Sequence, residues 1–313
     1  MPGTDYTRGI FFALSTAVLW GLLPVFMKIA LQDFSPGSIV WFRFVFAFLA
    51  LWLFLRVKRQ PPERILTRPP LFGILAGLCL SGNYYYFLRG ISASSPSNAA
   101  VLIQIAPVMV VLIGVAVFKE RFSRQQAGGL GIAVLGFLLF FSDQQSQATD
   151  LGLYTAANGF VLIAGALWAA YMTFQKSLAP QYAAQQLNLL VYGVAGVVLV
   201  STVSWEDYSG AGVVAWGLLV FLGINTLLAY GFLAEAIKHI PLWLISVIVT
   251  LNPFITLVVM EALPHLIPGL VEPERIGLLG YLGAATAIGG VILVILRREA
   301  GAEPPVVGPR GSD

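Results

Sequence analysis

The chain carries the segment LWGLLPVFMK at residues 19–28 and a related segment, LWAAYMTFQK, at residues 167–176. Each begins with a Leu-Trp pair and ends with a lysine eight residues after the tryptophan, and the two segments are 148 residues apart. Both lie inside long apolar stretches. The second half of the chain therefore repeats the first, and this repeat decides the fold.

The composition indicates that lipid is the solvent for most of the chain. Of its 313 residues, 58% are hydrophobic and only 11% are charged, whereas a soluble domain has about 25% charged residues. The single cysteine, Cys79, cannot form an intrachain disulfide. The net charge of +3 is explained by membrane orientation, so we predict no nucleic-acid partner.

Ten apolar segments are long enough to cross a hydrocarbon core about 30 Å thick, which takes about 20 helical residues. They are residues 9–30, 36–56, 71–91, 97–118, 126–142, 153–175, 183–203, 213–237, 242–263 and 276–296. Each repeat then holds five spans, and an odd number turns the second copy upside down in the membrane. The sequence predicts an all-α integral membrane protein built from two inverted five-helix repeats.

This organisation divides the chain into four parts. They are the first repeat (1–142), a polar periplasmic loop (143–152), the second repeat (153–298) and a disordered cytoplasmic tail (299–313). With the N-terminus inside, 14 of the 18 lysines and arginines fall on the inner side, three on the outer side and Arg43 within a span. Because cytoplasmic loops are enriched in Lys and Arg, both termini are predicted to be cytoplasmic.

Further matches support the repeat. Tyr84 and Tyr230 lie 146 residues apart in the third and eighth spans, and Pro107 and Pro253 have the same offset in the fourth and ninth spans. Glycines seven residues apart occur in the fifth span and again in the tenth, at positions 129, 136, 283 and 290. Small residues on one face of a membrane helix allow close helix packing.

The ordered motifs resemble those of the drug/metabolite transporter superfamily, in its ten-span EamA-type branch. The features that carry the resemblance are Leu19-Trp20-Gly21, Arg43-Phe44, Gln104-Ile105-Ala106-Pro107, Lys119-Glu120-Arg121 and the stretch from Gly129 to Gly136. Within the branch, the chain is similar to the YddG-type bacterial amino-acid exporters. The second half departs from the pattern, because its nearest acid after Pro253 is Glu261, only eight residues on.

Several chemistries find no support in the sequence. A phosphate-binding GxxxxGK[ST] loop, HExxH and GxSxG do not occur, so we predict neither an enzyme nor a cofactor or metal. No acidic residue lies near the middle of a predicted span, although intramembrane carboxylates are the usual proton relays and cation counter-charges. A lipophilic cation would therefore lack a counter-charge.

A substrate site is expected near the midplane, where inverted-repeat carriers bind their ligands between interrupted helices. The proposed contact residues are aromatic or carry neutral amides: Trp20, Tyr84, Trp168, Tyr230, Asn252, Gln104, Asn83 and Asn225. Such a lining suits a small zwitterion, since rings accept an apolar side chain and can contact an ammonium. Pro107 and Pro253 are predicted hinges, because each removes a backbone donor and frees the carbonyl of Ile103 or Val249.

Three polar residues keep alternative interpretations. Arg43 needs a buried partner, for which helix carbonyls or an acid are favoured over substrate. Lys28 is expected to snorkel to the interface, with a place in the outer mouth as the lesser alternative. Asn98 fits a helix cap or a turn as well as it fits a ligand.

The favoured function is export of aromatic or other small amino acids across the bacterial inner membrane by alternating access. One alternative is a carrier of sugar phosphates, nucleotide sugars or other small metabolites, which needs basic side chains facing the cavity. The other is a membrane enzyme or structural subunit. Proton antiport and facilitated diffusion both fit the sequence. Ten spans enclose a cavity without a partner, so no oligomer is required.

Overall fold

The structure, a computed structural model, describes residues 2–58, 63–118, 123–148, 150–240 and 242–296. The predicted tail, 299–313, lies outside these residues. The described chain is helical throughout, with these elements: α1 Pro2–Ala30, α2 Pro36–Val57, α3 Glu63–Thr67, α4 Leu71–Ala93, α5 Pro96–Leu102, α6 Ile105–Phe118, α7 Arg124–Gln147, α8 Leu151–Leu178, α9 Ala184–Leu199, α10 Trp205–Gly210, α11 Val213–His239, α12 Leu242–Val249, α13 Asn252–Leu266 and α14 Leu278–Ile295.

The ten predicted crossings are present in the described residues. Nine helical stretches there are long and apolar enough to span a membrane, and the shorter apolar stretch Pro96–Val110 begins the fourth crossing. The predicted loop between the repeats is shorter than expected, because α7 continues to Gln147 and the side chain of Asp150 caps α8 by accepting from Leu153 N. The short helices α3 and α10 were not predicted.

The fourth and ninth spans are interrupted rather than kinked. α5 ends at Leu102 and α6 begins at Ile105, while α12 ends at Val249 and α13 begins at Asn252. Pro107 and Pro253 therefore lie in the first turn of the following half-helix, where a missing N–H costs nothing because it has no partner in the helix.

The carbonyls at these breaks differ from the prediction. Ile103 O is not free, because it accepts from Ala106 N at 2.9 Å. In the ninth span, the carbonyl that accepts a hydrogen bond from a side chain is that of Thr250 rather than that of Val249. Its donor is Gln104 Nε2, at 3.4 Å. The reason is that each break lies before its proline rather than at the proline. A 3₁₀-like turn at the break therefore replaces some of the backbone hydrogen bonds that the interrupted α-helix lacks.

The two repeats pack as antiparallel partners around a pseudo-twofold axis. α1 packs on α11 as α8 packs on α4, α2 packs on α9, and α7 packs on α14. Tyr84 and Tyr230, equivalent residues 146 positions apart, touch each other. Gln104 and Thr250, which are also 146 positions apart in the sequence, contact each other as well. Equivalent residues can meet in this way only where they lie near the axis.

Small residues bring α7 and α14 together, as the glycine spacing predicts. A Cβ at Gly129 would lie 2.8 Å from Val294 N and 2.9 Å from Gly290 O, closer than side chains approach a backbone. In the symmetric contact, a Cβ at Gly283 would lie 2.9 Å from Gly136 O. The four glycines thus let two helix backbones pack directly, with a geometry that repeats across the axis.

The two ends of the bundle differ in packing. We call the end at which α1 finishes the outer end, because the Lys and Arg distribution predicts that it faces away from the cytoplasm. There a cavity of about 830 Å³ opens between α1, α8 and the loops before α5 and α14. At the opposite end, the first half of α1 packs through Ala13 and Ala17 against Ala236, Ile240 and Ile245, all buried.

Candidate functional site

An aromatic cluster occupies the middle of the bundle. The hydroxyls of Tyr84 and Tyr230 are 3.2 Å apart, and the two side chains are 7% and 8% exposed. Trp20 meets the ring of Tyr230 edge-on, with centroids 5.6 Å apart, and Tyr192 lies on its other side at 6.3 Å. Three of the eight predicted contact residues, from α1, α4 and α11, therefore lie together.

Arg43 is buried beside this cluster. Its side chain is 1% exposed, and Nε and Nη2 donate to Thr226 Oγ1 at 3.2 and 2.9 Å. The guanidinium carbon lies 4.9 Å from the centre of the Tyr84 ring, and Nη1 reaches Met27 Sδ at 3.7 Å. Within the described residues, the partners of Arg43 are not the helix carbonyl or acid that we predicted. Its guanidinium contacts a hydroxyl, a thioether and the face of an aromatic ring, on which guanidinium groups stack well.

A second group of predicted residues meets where the two broken spans cross. Gln104 Nε2 donates to Asn252 Oδ1 at 3.0 Å, in addition to its bond with the Thr250 carbonyl. Gly21 brings α1 against this junction, because a Cβ there would lie 2.8 Å from Asn252 O. Thr256 Oγ1 donates to the Gly21 carbonyl at 2.6 Å. The tryptophan motif of α1 and the break in the ninth span thus form one unit.

The other two amides serve helix packing in this conformation. Asn83 Nδ2 donates to Ala164 O on α8 at 2.8 Å, and Asn225 Nδ2 donates to Leu19 O on α1 at 3.0 Å. Each amide therefore ties α4 or α11 to the first helix of the opposite repeat. Asn225 Oδ1 is buried and has no hydrogen-bond partner in the described protein.

The remaining predicted residues are Trp168 and the two prolines. Trp168 is half-buried and packs against the main apolar core, but the structure gives it no ring contact with the Trp20 cluster in the described residues. Pro107 is half-buried and Pro253 is buried, at the starts of α6 and α13.

The outer cavity is lined by polar residues, of which Glu274 and Tyr154 were not singled out from the sequence. Lys28 lines it, as do Glu274 before α14 and Tyr154 on α8. Lys28 is half-buried at the end of α1, and its Nζ donates to Ile91 O and Ser94 O, each at 3.3 Å. Its place in the cavity lining agrees with the lesser alternative, while snorkelling to the interface stays a prediction.

Asn98 belongs to a buried amide and phenol network at the wall of this cavity. Ser95 caps α5 by accepting from Asn98 N at 3.2 Å, so the Asn98 side chain is free for other contacts. Its Nδ2 donates to Asn158 Oδ1 at 2.7 Å, and its Oδ1 accepts from the Tyr154 hydroxyl at 3.2 Å. Asn98 is therefore not the cap.

One sequence signal identifies Glu274. Glu274-Arg275 lies 154 residues after Glu120-Arg121, and the glycines of α7 and α14 have the same offset. Glu274, rather than Glu261, is thus the counterpart of Glu120, which itself lies outside the described residues. The second repeat has eight more residues between its proline, Pro253, and this acid than the first repeat has, and this difference in length obscures the match.

Comparison with known proteins gives a consistent result. The model of the EamA-like transporter family matches residues 7–142 and 155–296, one match for each repeat. An uncharacterized inner membrane transporter of Escherichia coli K12, YhbE, is 33% identical over 91% of this chain and 90% of its own. A solved crystal structure superposes with a TM-score of 0.64 over 93% of this chain and 96% of its own, at 15% identity, which shows likeness of fold.

Two more distant relatives have names that state a cargo. A probable amino-acid metabolite efflux pump of Salmonella typhimurium is 26% identical, over 79% of this chain and 84% of its own. The pseudopaline exporter CntI of Pseudomonas aeruginosa is also 26% identical, over 74% and 78%. Both names describe export of small molecules.

Proposed function

This chain belongs to the EamA-like transporter family, and we propose that it exports small zwitterionic amino acids, aromatic ones among them, across the inner membrane by alternating access. It is a membrane transporter, and relatives that match most of its length are named inner membrane transporters. The amino-acid cargo and the direction of transport are our proposal. The distant relative named as an amino-acid metabolite efflux pump supports it.

The observation that carries the proposal is a pair of groups, each of which contains a contact between repeat-equivalent positions at the pseudo-twofold axis. The Trp20, Tyr84 and Tyr230 rings supply apolar walls with hydroxyls at one point. The Gln104 and Asn252 amides supply neutral donors and acceptors beside a broken helix. Rings suit an apolar side chain or an ammonium, a contact worth about 0.5–2 kcal/mol, while amides and hydroxyls can bind a carboxylate.

The packing at the two ends supports alternating access. The outer end holds a wide cavity, and the inner end of α1 is closed by the apolar cluster around Ala17 and Ile240. Because the repeats are inverted, exchanging their conformations would close the outer end and open the inner one. Pro107 and Pro253 lie where such a change would bend the fourth and ninth spans, and we propose them as hinges.

A transport assay with a defined panel tests the cargo. Purified protein in proteoliposomes is loaded with one radiolabelled amino acid at a time, and efflux is compared with empty liposomes and with a sugar phosphate and a nucleotide sugar. We expect faster efflux of aromatic amino acids than of either phosphate compound. Efflux of phosphate compounds alone would replace this proposal with the sugar-phosphate alternative, and comparing efflux with and without a pH gradient reports the coupling.

Two tryptophan variants test the site. Trp20→Ala removes a ring that contacts Tyr230, and Trp168→Ala removes its counterpart in the other repeat. We expect each to reduce amino-acid efflux at least tenfold with unchanged membrane yield, and Trp205→Ala, an exposed tryptophan of α10, serves as the control. Unchanged efflux in both variants would remove these residues from the site.

Orientation is tested by accessibility. In a Cys79→Ser background, cysteines at exposed positions Lys58 and Gln145 should react with a membrane-impermeant maleimide from opposite sides. We propose that position 145 is labelled in intact cells and position 58 only after permeabilisation. Labelling of both from one side would contradict the inverted arrangement.

A further inference from the structure

The outer cavity has a chemistry unlike that of the midplane. It holds about 830 Å³, enough for an amino acid with a large side chain, and both signs of charge line it. Lys28 comes from the last turn of α1 in the first repeat, and Glu274 comes from the loop before α14 in the second. A ligand there would contact both repeats.

Lys28 is fixed in position but keeps a donor. An ammonium has three N–H groups and no acceptor. Two of them are directed to the carbonyls of Ile91 and Ser94 at the end of α4. These bonds hold the charge at the cavity wall, and the third N–H remains for another acceptor.

Glu274 is held in a comparable way. Its Oε1 accepts from Ser97 N at 3.4 Å, while Oε2 is buried and has no hydrogen-bond partner in the described protein. Burial raises the pKa of this carboxyl, although the hydrogen bond from Ser97 N and the nearby charge of Lys28 act in the opposite direction. A buried carboxylate oxygen without a donor is costly, so a donor delivered by a ligand would be strongly favoured.

The two charges interact without forming an ion pair within the described chain. Glu274 is close enough to Lys28 to affect it electrostatically, but the polar contacts of Lys28 are carbonyl oxygens. Two more polar atoms near this region, Ser97 Oγ and Asn158 Nδ2, are also buried without a partner. Three of the four such atoms in the described residues thus belong to the outer cavity or the residues directly behind it.

We infer that the outer cavity is a second ligand site that binds the head group of an α-amino acid, with its ammonium on the Glu274 carboxylate and its carboxylate on Lys28 Nζ. A zwitterion supplies both groups from one carbon atom, an ammonium for the glutamate and a carboxylate for the lysine. The amino-acid identity rests on the proposed function, whereas the charge requirement rests on the cavity itself. The site would hold the solute at the outer mouth before release.

The test separates the two charges of the ligand. Binding of phenylalanine, of 3-phenylpropionate, which lacks the ammonium, and of 2-phenylethylamine, which lacks the carboxylate, is measured calorimetrically on purified full-length protein in nanodiscs. Glu274→Gln should weaken binding of phenylalanine and the amine at least tenfold and leave the acid unchanged. Lys28→Met should weaken binding of phenylalanine and the acid at least tenfold and leave the amine unchanged.

Matched controls lie at the same end of the bundle, outside the cavity lining. Asp33 and Arg89 are exposed and do not line the cavity, so Asp33→Asn and Arg89→Gln should change each affinity less than twofold. Folding is checked by size-exclusion chromatography and thermal unfolding. Glu274→Gln should fold at least as well as the natural protein, because it removes an unpaired buried carboxylate.

The outcomes separate this inference from the proposed function. If the natural protein transports amino acids but neither variant changes the order of the three affinities, the outer site is wrong and the carrier function stands. If amino acids bind with the expected charge dependence but are not transported, the site stands and the cargo is wrong. Failure of the natural protein to bind any of the three compounds would overturn the inference outright.

Discussion

The midplane cluster and the outer cavity satisfy their polar groups by different means. At the midplane, equivalent residues of the two repeats bond each other, as the Tyr84 and Tyr230 hydroxyls do at 3.2 Å. At the outer cavity, Lys28 and Glu274 come from different structural elements and are anchored to the backbone on one side only. The first region is largely self-sufficient, and the second keeps donors and acceptors unused.

The difference follows from symmetry. Near a pseudo-twofold axis, one residue type supplies both partners of a contact, and groups that both donate and accept, such as hydroxyls and amides, can pair with their own copies. Like charges cannot, because two lysines or two glutamates at the axis would repel each other. Charged groups are therefore expected away from the axis itself. They lie either beside it with neutral partners, as Arg43 does, or at the ends of the bundle, where one repeat faces a different part of the other.

The largest effect is expected at Arg43, which tests whether the midplane is self-sufficient. Arg43→Ala empties the space of a side chain that is 1% exposed, and truncating a large buried side chain costs about 2–5 kcal/mol. Arg43→Met keeps most of the volume without a buried charge, a change that is often neutral or stabilising. We expect thermal unfolding in detergent to separate the two variants, with Met near the natural protein.

Arg89 provides the control for this pair. It is exposed, and its guanidinium carbon lies 5.4 Å from the centre of the Phe160 ring, so Arg89→Ala should cost less than about 1 kcal/mol. Equal loss in Arg43→Ala and Arg43→Met would show that the charge itself holds the midplane together, and the distinction between the two regions would then fail.

A smaller effect is expected at the tyrosine pair. Tyr84→Phe or Tyr230→Phe leaves one buried hydroxyl without its partner, at a cost of about 1–2 kcal/mol. The double variant removes both hydroxyls and should cost less than the sum of the single changes, with a coupling of about 1 kcal/mol. Unfolding free energies of the four proteins measure this coupling.

Tyr86→Phe, at a half-buried tyrosine of the same helix, supplies a control that should add to either single change without coupling. Additive effects of Tyr84→Phe and Tyr230→Phe would mean that water or lipid, rather than the symmetric partner, satisfies each hydroxyl. The midplane would then resemble the outer cavity more than this structure indicates.

The sequence predicts much of the fold because membrane spans leave strong local signals. Span length, proline punctuation and the 146-residue offset are enough to identify Tyr84 and Tyr230 as counterparts and to locate the broken helices around Pro107 and Pro253. They do not position the break itself, since a proline is equally compatible with a kink in a continuous helix and with the first turn of a new one.

The side-chain contacts were predicted less completely, for two physical reasons. Which carbonyl an amide meets depends on the rotation and register of a neighbouring helix, so the sequence does not reveal that the Nδ2 groups of Asn83 and Asn225, both predicted substrate contacts, bind helix carbonyls in this structure. Glu274 lies in a loop of unusual length, and no helical period connects it to Lys28. Only the tertiary packing brings those two charges to one cavity.

The smallest expected effect is a pH dependence that distinguishes the buried carboxyl of the outer cavity from an exposed one. Burial raises the pKa of Glu274 above its usual 4.5, so the folded protein binds this proton more tightly than the unfolded chain does. Its contribution to stability is present below pH 4.5 and is lost as pH rises through the raised pKa. Thermal unfolding midpoints should therefore fall more steeply with rising pH in the natural protein than in Glu274→Gln.

Asp207 supplies the opposite sign on the same molecule. Although burial alone would raise its pKa, hydrogen bonds from Ser35 N at 2.8 Å and from Ser38 Oγ at 2.7 Å hold it below the usual 3.8. Its contribution is therefore lost as pH falls through that lowered pKa, and Asp207→Asn should flatten only the acid side of the profile. If Glu274→Gln also changed only the acid side, the Glu274 carboxylate would be as well supplied with donors as that of Asp207. The outer cavity would then have no unpaired charge to offer a ligand.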